Sequence, residues 1–247
     1  MHTLYLGPSW AVQSYESSEG LDDTVRTNLA QELELTNYTM LAGYADSNFD
    51  QLQHAQKFMQ QHADLSPFRA VFVTANSLQD GHKILNMPQV DFAKFFLTSN
   101  NPIGIIKELE QAFYRQLNRI SIPVALIGAH TDVTCQSHSN ITVIHPSWQN
   151  FLAQQCGLDS FYGWAADVGH RWLHGIVIPD YGPPEQFELD KNPSPTVVDE
   201  IYTVFNRSWH VLQKHKLFVG CHPNILGNQL FAKKIANSFN QWIDNAV

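Results

Sequence analysis

Five short apolar runs, separated by longer stretches with helical spacing, constrain this chain more than any other feature. The runs are Thr3–Leu6, Tyr38–Leu41, Ala70–Thr74, Val124–Gly128 and Ile141–Ile144. Each is brief and mostly apolar, as expected of a strand covered on both faces. Between them, "LDDTVRTNLAQELEL" places Leu21, Val25, Leu29 and Leu33 on one stripe. "SNFDQLQHAQKFMQQHA" opens on a capping residue, Ser47 or Asn48, and repeats apolar residues at helical spacing. "PIGIIKELEQAFYRQL" leads into the fourth run. Strands joined by helical crossovers pair in parallel, so the pattern predicts an α/β fold: a five-stranded parallel sheet with helices on both faces.

Beyond Ile144 the pattern turns helical, in "PSWQNFLAQQC", "SFYGWAADVGHRWLHG", "PTVVDEIYTVFNRSWHVLQKH" and "NQLFAKKIANSFNQWIDNA". The one long irregular stretch is "IPDYGPPEQFELDKNPSP". Too little chain follows it to form a second core, so residues 1–247 read as a single domain. The stretch Asp180 to Pro195 is expected to be a surface loop bordering the functional cleft.

Composition narrows the function. With 44% hydrophobic and 12% aromatic residues, the 247-residue chain can bury a sizeable core. A net charge of -8 with no Lys/Arg cluster argues against nonspecific binding to nucleic acid or to an anionic membrane. The three cysteines, Cys135, Cys156 and Cys221, form no C-x-x-C pair, so neither a disulfide framework nor a zinc knuckle is indicated. No run reaches the roughly 18 apolar residues of a membrane helix, and no basic, apolar, small-residue leader opens the chain. A cytoplasmic location is therefore expected. No G-x-G-x-x-G or Walker motif is present, so no nucleotide cofactor is expected. His170 and His174 share a helix face by spacing, but "GHRWLH" lacks the Glu of H-E-x-x-H, and no metal is expected.

Open parallel sheets bind ligands at the carboxyl ends of their strands. The first run ends in "GPSW", with Ser9 and Trp10. The second leads to "GYADSN", Gly43 to Asn48, and the third to "TANS", with Asn76. Near the far end, "CHPN" carries His222 ahead of the last helix. A hydroxyl, backbone amides in a small-residue turn, an Asn side chain and a late His make up the parts of an acyl-transfer site. The Ser attacks, the His takes its proton and the amides hold the oxyanion. Each block also has a plainer reading: Ser9 as a helix N-cap, Asn76 as a turn residue, His222 as a structural histidine.

In order and placement these four blocks resemble the SGNH/GDSL hydrolase family. The resemblance implies a flavodoxin-like three-layer fold. It also implies cofactor-free, metal-free hydrolysis of an ester or acyl group, on a small-molecule or glycan ester. Carried over residue by residue, Ser9 is the nucleophile and His222 the general base. Asn76 and the backbone amides of Ser9 and Ala45 form the oxyanion hole, with Gly43 as the alternative donor. Trp10, Gly43 and Asn48 lie where they would touch substrate.

The sequence departs from the family pattern in specific places. Pro8 replaces the Asp of Gly-Asp-Ser, and Ala45 takes the Gly position of Gly-x-Ser-Asn. Val219 stands three residues before His222, where the family has the Asp that orients the imidazole. A backbone carbonyl, or a carboxylate from the long loop (Asp180, Glu185 or Asp190), would have to take over that task. Loss of the acid equally fits a second reading, a non-catalytic binding or structural module that keeps the fold.

Overall fold

The computed structural model describes residues 1–12, 28–43, 46–75, 77–87, 95, 99, 102–129, 132–138, 140–155, 217–219 and 222–245. Its centre is a five-stranded, all-parallel sheet. The strands are β1 (His2–Leu6), β2 (Tyr38–Met40), β3 (Phe68–Val73), β4 (Val124–Ile127) and β5 (Ile141–His145), in the spatial order β2-β1-β3-β4-β5. All five apolar runs became strands of this sheet.

Alternate residues along the strands feed two separate cores. Tyr5, Val71, Val73, Ala125 and Ile127 enter one. Leu4, Leu6, Ala70, Phe72, Val124 and Leu126 enter the other. The second face is covered by helices α3 (Asn48–Gln60) and α5 (Pro102–Leu117), through Leu52, Ala55, Phe113 and Leu117. The first face is covered by α1 (Ser9–Val12), α2 (Leu29–Glu32), α6 (Trp148–Gln155) and α7 (Ile225–Asn245). Residues such as Leu4 and Phe72 are fully buried, each worth about 1.5–3 kcal/mol of hydrophobic stabilisation. Helix α4 (Ser77–Ile84) and a two-stranded antiparallel ladder, β6 (Phe218–Val219) with β7 (His222–Pro223), complete the described elements.

Three local differences from the sequence expectation have physical causes. β3 begins at Phe68 rather than Ala70, because Arg69 is buried within the strand. Its Nε donates to Thr3 Oγ1 (2.9 Å), its Nη1 donates to the Ile243 carbonyl (2.9 Å), and its guanidinium lies 5.3 Å from the Trp242 ring centroid. The helix expected over 21–35 does not run through residue 28. Asn28 has an extended backbone (φ -130°, ψ 166°) and caps a new helix through a reciprocal box with Gln31. Helix α4 was not expected at all. The segments 160–175 and 195–215, the loop from Asp180 to Pro195, and His170 and His174 lie outside the described residues.

Candidate functional site

The spatial order β2-β1-β3 makes the sheet reverse its winding at β1, and sheets of this kind favour ligands outside the carboxyl ends of the strands at that switch point, here β1 and β3. The turn leaving β1 is unusually tight. A Cβ on Gly7 would lie 2.3 Å from the Ala11 Cβ and 2.9 Å from the Val73 Cβ. Only glycine permits that approach, which folds α1 back over β3. The Ala11 N–H closes the turn onto the Pro8 carbonyl at 2.8 Å.

Ser9 is the first residue of α1 and is 3% exposed. Its Oγ is buried and has no hydrogen-bond partner among the described residues. The hydroxyl therefore caps nothing, although a capping role is what an ordinary strand-to-helix turn would give it. A buried hydroxyl without a partner is costly and calls for an explanation at this edge of the sheet.

Trp10, expected to touch substrate, is buried among aromatic side chains. It is 1% exposed and packs edge-to-face on Trp148, with centroids 5.4 Å apart, in the first core. Trp148 stacks on Phe231 of α7, centroids 4.5 Å apart and planes 9° from parallel. This aromatic chain fixes α1 to the two helices beside it.

The second block divides between two tasks. Gly43 ends the segment after β2, and the Asp46 carboxylate lies where a Gly43 side chain would be, its Oδ1 2.7 Å from that Cβ position. Asp46 Oδ2 also lies 3.4 Å from His54 Nε2. Ser47 caps α3 in a reciprocal box with Asp50, and Lys83 of α4 is bonded to the Asp50 carboxylate. Asn48, expected at the substrate, is 2% exposed and structurally engaged. Its Oδ1 accepts the Ala75 N–H at 2.7 Å, and its Nδ2 donates to the Ala75 carbonyl at 3.2 Å and to Asp80 Oδ2 at 2.9 Å. Asp80 accepts the Phe49 N–H as well, at 2.9 Å. Ala45 and Asn76 lie outside the described residues.

The ladder β6–β7 delivers the backbone of His222 to this edge. β7 packs against α1, the helix that begins with Ser9, and against α7. Within the ladder Val219 pairs with His222 and Phe218 with Pro223. Asn224 then caps α7, its Oδ1 accepting the Gly227 N–H at 2.9 Å. A Cβ on Gly227 would lie 2.7 Å from the Leu217 carbonyl oxygen, so the ladder and the start of α7 are in close contact.

Two further groups carry no motif by which the sequence analysis could have found them. Asp80 has its pKa pushed up to about 7, first by burial and then by Asp50, against the hydrogen bonds it receives from Phe49, Asn48 and Ser47. His145, at the end of β5, accepts the Ser147 N–H on Nδ1 at 3.1 Å and lies between the rings of Phe151 and Phe231. Burial, and next the Lys234 charge, pull its pKa down to about 4, so the ring is neutral at pH 7. Two open grooves, of about 610 and 560 Å³, lie at the opposite, amino-terminal edge, lined among others by Asn37 and Arg69, and by Pro123 and Asn140. Among the described residues, no cluster of three metal-ligating side chains occurs and no helix is long and apolar enough to cross a membrane.

No family model, no curated protein and no solved structure matches this chain.

Proposed function

We propose that the chain is a serine hydrolase of SGNH type, acting on an ester or acyl group at the carboxyl edge of the sheet. The observation that carries this reading is the Ser9 hydroxyl. It is buried, without a partner among the described residues, and placed at the switch point, on a helix packed against the strand that bears His222. Ser9 Oγ attacks the carbonyl carbon while His222 takes its proton. The carbonyl π-electrons move to oxygen, and that oxyanion is received by the Asn76 amide and the N–H groups of Ser9 and Ala45. Collapse of the intermediate breaks the bond to the alcohol, which leaves with the proton held by His222. Water then releases the acid from Ser9 by the same two steps.

A fluorophosphonate probe tests the reading directly. Labelling of the wild-type protein at Ser9, lost in Ser9→Ala, is the expected result. An unlabelled, folded wild-type protein overturns it.

One observation favours a second reading. The position across from His222 holds Val219, which cannot accept a proton or stabilise an imidazolium. A non-catalytic module that retains the fold would show this pairing and no labelling.

A further inference from the structure

The reaction described above gives no task to the most deeply buried acid among the described residues. Asp80 lies in the first turn of α4 with 0% exposure. Burying a carboxylate costs several kcal/mol unless hydrogen bonds offset it, and an apolar residue would fill the space more cheaply. Its bonds come from the start of α3: the Phe49 N–H on Oδ1 and the Asn48 amide on Oδ2, each at 2.9 Å.

The second of these bonds decides which way the Asn48 amide faces. Asp80 Oδ2 accepts from Asn48 Nδ2, so Asn48 turns its NH₂ toward Asp80; the ionised form enforces this, and the protonated form that prevails below about pH 7 still accepts through a lone pair on Oδ2. One amide hydrogen is used there and the other reaches the Ala75 carbonyl. The Asn48 oxygen is thereby left facing the Ala75 N–H, at 2.7 Å. Both backbone polar groups of Ala75 are held by one side chain whose orientation is set by Asp80. Ala75 follows β3 at the switch point and is covalently joined to Asn76.

We propose that Asp80 is a positioning residue of the hydrolytic site: by fixing the Asn48 amide it locks the backbone at Ala75, the residue that immediately precedes Asn76 in the sequence. This rests on the hydrolase reading above. Exchanging the acid for its amide makes the geometry inconsistent. In Asp80→Asn, two NH₂ groups compete, and either Asn48 turns over and loses Ala75 or residue 80 turns over and loses the Phe49 N–H.

Displacement of a reacting group by about 1 Å costs about 10²-fold in rate. Asp80→Asn is therefore expected to lower kcat by about 10- to 100-fold while KM changes by less than about twofold, and to slow fluorophosphonate labelling of Ser9 in proportion. Hydrogen exchange at the Ala75 N–H should rise in the same variant. A purely structural role would shift the melting temperature and leave kcat of the folded protein unchanged. If Asp80→Asn does not fold, Asn48→Ser keeps the Phe49 bond, gives up the hold on Ala75 and should show the same loss in kcat. Wild-type labelling with both folded variants labelled at the wild-type rate overturns this proposal and leaves the hydrolase reading standing. A wild-type protein that is not labelled overturns both.

Discussion

Val219 is paired with His222 across a short antiparallel ladder whose second strand packs against α1, the helix that begins with Ser9. Residues directly opposite in such a ladder share a face, with Cβ atoms about 4.5–5.5 Å apart. Position 219 is therefore the register partner at which a carboxylate can be tested beside residue 222. Val219→Asp is expected to raise kcat on a generic aryl ester by on the order of 10-fold. In the worked serine-protease case, replacing the acid by its amide costs about 10⁴ through the wrong tautomer, which bounds the gain. Steady-state kinetics and a pH–rate profile check it; an unchanged rate in a labelled protein would show that the acid is not what limits the site.

Gly7→Ala tests the turn. The added methyl meets two Cβ atoms on packed elements, at 2.3 and 2.9 Å, and neither is the tip of a flexible side chain. Overpacking of this kind typically costs about 1–3 kcal/mol. The expected outcome is a lower denaturant midpoint with an unchanged m-value, together with weaker Ser9 labelling because α1 is pushed off β3.

His145 makes the fold acid-sensitive. The folded protein holds no proton on this ring until pH nears 4, whereas the unfolded chain takes one near pH 6.5. Protons therefore favour the unfolded state across that window, and the stability due to the neutral ring is lost as pH falls through it. His145→Gln should lose less stability than wild type between pH 6.5 and 4, measured by denaturant titration at each pH.

Asp80 and Glu110 work in the opposite direction. Burial raises both to about 7; Asp50 adds to the effect at Asp80 and Asp132 adds to it at Glu110, where Lys107 opposes it. The folded protein then binds a proton that the unfolded chain has released, so stability declines as pH rises from the ordinary carboxylate range to about 7. Around Asp80 the charged neighbours are Asp50 of α3 and Lys83 of α4, which is bonded to Asp50 rather than to Asp80. Asp80→Asn should flatten that part of the pH–stability curve even though the lost hydrogen bond lowers the curve as a whole. Comparing slopes, not midpoints, separates the two effects.

The sheet was legible because burial on both faces writes strands as plain apolar runs, and all five were found. Where a polar residue was buried instead, the reading failed. Arg69 interrupts its run as a charge, yet sits inside β3 because Thr3, Ile243 and Trp242 satisfy its guanidinium. Helix α4, "SLQDGHKI", is eight residues long, with Leu78 and Ile84 as its apolar residues and a glycine in its interior, so the segment is too short to stand out as a helix in the sequence. The block order placed Ser9 just beyond the carboxyl end of the first strand, and that is where it lies. The tasks of individual residues within the blocks were less readable. Trp10 looked like a substrate wall and is core; Asn48 looked like a ligand contact and is a clamp. Its partners Ala75 and Asp80 lie 27 and 32 residues away, and no local pattern encodes a bond over that distance.

The two faces of the sheet are closed at very different moments in the life of the chain. One face is covered by α3 and α5, which lie between the strands in sequence and emerge from the ribosome with them. The other holds Tyr5, Val71, Val73, Ala125 and Ile127, and its main lid is α7, through Phe231, Ile235 and Phe239. That helix is the last described element to be synthesised. Until it arrives, a growing chain displays half a finished core to the cell, and the turn bearing Ser9 has neither its aromatic support from Phe231 nor the ladder that brings His222. Nascent chains of this protein are expected to need shielding at that face until α7 has been made.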